Sequence, residues 1–240
     1  MRASILLDRE VGDRLHLGRK VSNVGQLYAE LGHVDGAMGF LQRALEVFDS
    51  VDDQSGRADA LCAMAELLAE QVDDLEAAEA ALFEARTLAE RIRDPYDLSH
   101  ACFVETALLL RRGALDSAAA RAKEAIAHAR AAGARGYELL AMAVRAEALA
   151  RLGRPDDAVA LADRVLASLE GRSDVERAER IHLALAGAYA APGRTDPARA
   201  ALRNAEAVVA ARLGQLRDPK LRASYAESHL VRAIRRGLPS

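Results

Sequence analysis

One alanine recurs along this 240-residue chain at an almost constant interval, as Ala37, Ala78, Ala118, Ala158 and Ala198, in steps of 41, 40, 40 and 40 residues. Four residues beyond each stand Leu41, Leu82, Ala122, Ala162 and Leu202. Three further on stand Ala44, Ala85, Ala125, Val165 and Ala205. Spacings of i, i+4 and i+7 mark one face of a helix. Upstream, Tyr28, Leu68, Leu109, Leu149 and Tyr189 each follow a small residue three positions earlier, at Gly25, Ala65, Thr106, Ala146 and Ala186. These mark the face of a preceding helix. Gly32, Gly113, Gly153 and Gly193 fall between the two helices, where a helix stop favours a residue that tolerates positive φ. An Asp or Pro then restarts the chain, as in "GRPDD" and "GRTDP". Each unit is thus a helix hairpin with an apolar face that a neighbouring hairpin must cover, and a stacked solenoid follows. The second unit carries "EQVDDLE" in place of the glycine turn and one extra residue, which predicts a looser turn there.

Composition agrees with thin, closely approaching helices. Hydrophobic residues make up 51% of the chain, aromatics 4%, and Trp is absent, so the interior must be built from Ala, Leu and Val. A formal net charge of −3 supplies no global field for nucleic acid or membrane, and neither partner is expected. Two cysteines make no secreted disulfide framework. No run approaches the about 18 apolar residues of a membrane span, and the N-terminus lacks a signal-peptide pattern, so the expected location is cytoplasmic.

The small–aromatic or Leu–Gly–Ala–Leu–Ala skeleton resembles the tetratricopeptide repeat over residues 14–213. One departure stands out: the period is 40 residues, against about 34 in the usual repeat. The extra residues lengthen each helix to about 18 residues, or roughly 27 Å. The resemblance implies an all-α, right-handed α-solenoid of five hairpins, at 14–53, 54–93, 94–133, 134–172 and 173–214. A remnant helix at 3–12 would precede them, and a capping helix at 218–236 would follow. Pro219 suits the first residue of that cap, with Leu221, Tyr225, Leu230 and Ile234 facing inward. The long repeats and the tail at 216–237 are similar to those of large bacterial signal-transduction and transcription regulators, in which an ATPase or kinase module precedes the repeats.

In the repeat register "ASILLDREVGD" takes the place of "ALEVFDSVDD", the end and exit loop of a second helix. Ile5, Leu6 and Leu7 then present apolar surface with no hairpin to cover it. The chain is therefore expected to be part of a larger protein, or to cover this edge with a second copy in a homodimer through its end repeats.

Catalytic chemistry is not in evidence. "GDRLHLGRK" at 12–20 has five residues between its glycines and no Gly-Lys-Ser/Thr after them. His16, His33, His100, His128, His182 and His229 include no HExxH and no i, i+4 pair for zinc. Cys62 and Cys102 fall on helix faces as small packing residues with no base beside them. The expectation is a non-enzyme with no cofactor and no metal.

The resemblance places the first helix of each hairpin along a concave groove. The groove-facing residues are then Arg19, Gln26 and Glu30; Asp59, Glu66 and Glu70; His100, Phe103 and Arg111; Glu147 and Arg151; and Arg180. Their charge is graded. Repeats 1 and 2 carry four acids, whereas repeats 3 to 5 carry Arg111, Arg151 and Arg180 against Glu147. A basic or amphipathic segment would suit the first part and an acidic one the second. The groove asparagines of chaperone-tail clamps are missing, since Asn23 and Asn204 lie outside this register. Arg217, Lys220, Arg222, Arg232, Arg235 and Arg236 make the cap basic, but no recognition helix or aromatic interleaving accompanies them. The expected function is a scaffold or sensor that binds a peptide, a partner domain or its own ATPase or kinase module. The alternatives are a small-molecule sensor with a pocket lined by His100, Cys102 and Phe103, or a structural spacer.

Overall fold

The structure, a computed structural model, describes residues 2–172 and 175–237, with side chains from residue 13 onward. It is all-α among the described residues: α1 Arg2–Glu30, α2 Val34–Ser50, α3 Gln54–Leu67, α4 Leu75–Ile92, α5 Pro95–Arg111, α6 Leu115–Ala131, α7 Arg135–Arg151, α8 Pro155–Leu169, α9 Ala178–Ala190, α10 Thr195–Gln215, α11 Pro219–Ala226 and α12 His229–Arg236. Helices α1 to α10 pack as five sequence-adjacent hairpins, each also touching the next. The first helices α1, α3, α5, α7 and α9 contact one another in series. They form the inner layer of a curved solenoid.

The repeating residues do the work that their spacing implies. Ala37, Ala78, Ala118, Ala158 and Ala198 are all fully buried. With no side chain beyond Cβ, each lets the two helices of its hairpin approach closely. Gly32, Gly113, Gly153 and Gly193 all have φ between +68° and +79°, the left-handed region that only glycine enters without strain. Where the second hairpin lacks this glycine, α3 runs into a π-helical turn at Leu68–Val72, and Asp73 takes the left-handed conformation at φ 64°. The wider turn absorbs the extra residue of that repeat.

Two boundaries differ from expectation. α1 is one continuous helix from Arg2 to Glu30, so the remnant helix and the exit loop around 11–13 are absent as separate elements. The helix runs straight through Gly12–Asp13; further along, Gly18 packs against Phe48 and Gly25 against Leu41, so these glycines serve close helix approach. The expected apolar surface of Ile5, Leu6 and Leu7 lies outside the described side chains. Further along, α1 exposes Leu17, Val24 and Leu27. The cap is two short helices, because the Ser228 hydroxyl accepts from the Val231 N–H and starts a second helix. Asp218 caps α11 in the same way, with Pro219 as its first residue. Tyr225 and Ile234 are buried as expected, whereas Leu221 and Leu230 are half-buried.

The solenoid curls until its ends meet. Leu31, at the end of α1, shares a buried cluster with Ala205 and Val209 of α10 and with Tyr225, Val231 and Ile234 of the cap. A Cβ at Gly32 would stand 2.8 Å from Cβ of Ser228 and 3.0 Å from the Ser224 carbonyl. At Gly153, with a similar φ, a Cβ would meet nothing within 4 Å. Gly153→Ala should therefore cost about 1 kcal/mol for the left-handed backbone, and Gly32→Ala roughly 1–3 kcal/mol more for overpacking the closure. Urea unfolding of the two variants measures the difference. Equal losses would mean that the ends are not in contact.

Candidate interaction groove

The inner layer brings carboxylates from the first two repeats against guanidinium groups from the fifth. Glu66 stands at the end of α3 and Glu70 one turn on, in the π-helical turn. Opposite them, Arg177 precedes α9 and Arg180 lies in its first turn. The Arg177 Nη1 donates to both Glu66 oxygens, at 2.8 and 3.0 Å. Arg180 donates to Glu66 and to Glu70, at 2.7 Å for Nη1 to Glu70 Oε1. These contacts join residues more than 100 positions apart. Arg177 holds a left-handed backbone at φ 55°, a strain of order 1–3 kcal/mol for a non-glycine. Its ion pairs, and its guanidinium 5.4 Å from the centre of the Tyr137 ring, hold it there.

Two further groups complete the cluster. His100 is fully buried, with Nδ1 3.1 Å from Asp59 Oδ1 and Nε2 3.7 Å from Glu66 Oε2. Gln26 of α1 donates to the other Asp59 oxygen at 2.6 Å. Burial alone would depress the imidazole, but the two carboxylates outweigh it and raise His100 above its ordinary range. Burial likewise pushes Glu66 upward, yet Arg177 and Arg180 hold it well below the usual carboxylate range. For Glu70 burial wins, and its pKa is raised. A second layer extends the network to the chain's end. Glu30 lies 3.5 Å from both Arg177 and Arg212, and Arg212 donates to Glu179 at 2.7 Å. Tyr225 of the cap donates to the same Glu179 oxygen at 3.4 Å, and the His229 N–H donates to Gln71 at 3.2 Å.

The residues assigned to the groove by register therefore divide. Gln26, Glu30, Asp59, Glu66, Glu70, His100 and Arg180 belong to this internal network. Most of the graded charge is consumed inside the molecule: Glu30, Glu66 and Glu70 are partners of the arginines of repeat 5, and Asp59 pairs with His100 and Gln26. Neither a basic segment nor an acidic one is needed to neutralise these groups. Arg19 stands apart, exposed and 3.9 Å from Asp53. His100 and Phe103 are 0% and 2% exposed, because α5 is packed on both sides by α3 and α7. Cys102 is a core residue whose thiol burial pushes up to about 11, and neither it nor His100 lines the cavity that Phe103 borders.

Phe103, Arg111, Glu147 and Arg151 do come together. They line a cavity of about 280 Å³ between α5, α7 and α9, which α12 walls with His229, Leu230 and Ala233. Arg111 donates to the Ala69 carbonyl and to Asp73. Arg151 reaches the Leu110 carbonyl at 3.4 Å and Glu147 at 3.8 Å. Burial raises Glu147, with Arg151 opposing. Register reasoning missed Arg177, which lies before its helix, as well as Arg212 and Glu179, which become neighbours only once the ends meet. Helix α12 was legible as a cap but not as a wall. Among the described residues no group of His, Cys, Asp and Glu is placed to hold a metal, and no helix is long and apolar enough to cross a membrane.

This inner-layer arrangement can be set beside known proteins. No family profile and no curated protein matches the sequence. Two crystal structures of a kinesin light chain-like protein from Podosopora anserina, built of nearly identical TPR-like repeats, are similar to it. One, a single-site variant, superimposes with a TM-score of 0.54 at 18% identity over 82% of this chain and 96% of its own. The other gives 0.53 at 18% identity over 83% and 97%. The fold is a TPR-like helical repeat. At this identity the likeness speaks to the fold alone, and the closed inner network of the present chain is read from its own residues.

A buried carboxyl beside this network sets a pH dependence. Asp97, in the first turn of α5, is 1% exposed and accepts from the Ser55 hydroxyl at 2.8 Å. Burial, reinforced by Asp94 and Asp59, pushes it up to about 7, against about 3.9 when unfolded. A carboxyl raised in the fold costs stability progressively as pH climbs from the lower value through the higher. Asp97→Asn should therefore melt above the wild type at pH 8 and close to it near pH 4. Thermal unfolding at the two pH values checks this; a variant that loses stability equally at both would contradict it.

Proposed function

We propose that this chain is a non-catalytic protein-interaction module whose partner engages the middle of the concave face, along α5 and α7. The observation that carries this reading is the unequal use of that face. Repeats 1, 2 and 5 spend their inner-layer charges on one another, whereas Arg151, Glu147 and the apolar residues around Phe103 border open space. Concave surfaces of stacked helical repeats suit extended binding contacts, and an apolar patch rimmed by charge is what partner recognition requires. The arginines at its rim favour a partner segment that carries carboxylates beside an apolar anchor. By the resemblance to long-repeat regulators, the partner is a peptide or domain of a signalling assembly, an ATPase or kinase module among them.

The test is capture by the immobilised chain, with Arg111→Glu combined with Arg151→Glu, and with Arg43→Glu on α2, where Arg43 pairs only with Glu46 among the described residues, as a control. Bound partners are identified by mass spectrometry, and folding of each variant is checked by its melting curve. Reversing two rim charges should weaken capture by about tenfold or more, while the control retains it. Undiminished capture by the double variant would place the interaction elsewhere.

A further inference from the structure

The cavity under α12, at the centre of the face proposed to take a partner, is also enclosed enough to hold a ligand of its own. Its volume of about 280 Å³ far exceeds the roughly 10–15 Å³ that a single water requires. A helix, about 10 Å across, does not fit, since α12 already forms the wall. The walls are apolar, with Phe103 and Leu110 of α5, Val144 of α7, Leu183 of α9 and Leu230 of α12. We propose that this cavity binds a small apolar carboxylate, its chain against Phe103, Val144 and Leu230 and its carboxylate group on the Arg151 guanidinium.

The charges around the cavity decide the sign of the ligand. Arg180 is satisfied by Glu66 and Glu70, and Arg111 by Asp73 and the Ala69 carbonyl. Arg151 has no hydrogen-bonded carboxylate among the described residues: its only acid, Glu147, stands 3.8 Å away. With Arg111, Arg151 and Arg180 against Glu70 and Glu147, the lining carries an excess of positive charge, and Arg151 is the guanidinium held most loosely by its acid. His229 senses the same surroundings from the opposite side. Burial first, then Arg111, Arg232, Arg236 and Arg180, press its pKa down. The excess of arginines in the lining favours an anion there, and a guanidinium fork receives a carboxylate with two parallel hydrogen bonds. This proposal goes beyond the partner-binding reading and is tested with no partner present.

Isothermal titration calorimetry on the whole chain, with octanoate, octanol and octylamine as probes of equal chain length, makes the test. Octanoate should bind saturably at one site, octanol more weakly and octylamine least. Arg151→Gln should weaken octanoate by about tenfold or more, as loss of a charge-assisted pair does. Glu147→Gln, which removes the competing acid, should tighten it. Ala107→Phe should abolish binding by filling the cavity. Ala233→Phe fills it from α12 and replaces Ala107→Phe if that chain melts early. Three results would overturn the proposal: octylamine binding as tightly as octanoate, octanoate binding unchanged by both Arg151→Gln and the cavity-filling variant, or no binding at millimolar octanoate. Because capture of a protein partner is read separately, either proposal can fail while the other stands.

Discussion

The pairing of Glu66 and Glu70 with Arg177 and Arg180 is the contact on which the shape of this molecule depends. A helical-repeat chain held by nearest-neighbour packing alone is quasi-one-dimensional, and nothing in such packing brings its first repeat to its last. Here two carboxylates of the second repeat meet two guanidinium groups of the fifth across the inner layer. Each group is largely buried, so leaving any of them charged without a partner would be costly. Pairing of this kind adds little net stability compared with an apolar contact, but it is strongly selective among arrangements. An open solenoid would leave Arg177 in a left-handed conformation with no Glu66 to hold it. The Leu31 cluster and the Gly32 turn against the cap then close the same junction with apolar contact.

Packing within the hairpins makes that curvature possible. Alanine at the repeating position of every second helix brings the two helices of a hairpin together, and the scarcity of aromatic residues keeps each layer thin. With the second helices outside and the first helices touching in series, the inner circumference is the shorter one, and the array curves toward it. The π-helical turn at Leu68–Val72 adds a local adjustment. It continues the helical path to Glu70, so that Glu66 and Glu70 both reach Arg180.

The repeat was legible because each hairpin is a local solution: alanine spacing, a glycine stop and a Pro or Asp restart are all set within about 40 residues, and helix period translates directly into a buried face. Ala37 through Ala198 and the four turn glycines stand where that reasoning puts them. The concave site was not legible to the same degree, because register says which way a side chain points and not what arrives opposite it. Glu66 of α3 and Arg180 of α9 meet each other across the inner layer. Arg177 sits in a loop, where periodicity carries no information. The continuous α1 has the same lesson: Gly12–Asp13 resembles a helix exit in sequence, yet the helix runs through it.

The central claim is that the Glu66–Arg177 contact locks the second repeat to the fifth, and a double-mutant cycle measures it most directly. Glu66→Gln, Arg177→Gln and the double variant are unfolded in urea beside the wild type. Each single substitution removes the nearest partner of a buried charge and should cost about 1.5–3 kcal/mol, and the pair should show a coupling of roughly 1–3 kcal/mol. Costs that simply add, with a coupling of less than about 0.5 kcal/mol, would contradict the account and leave the solenoid closed by its apolar contacts alone.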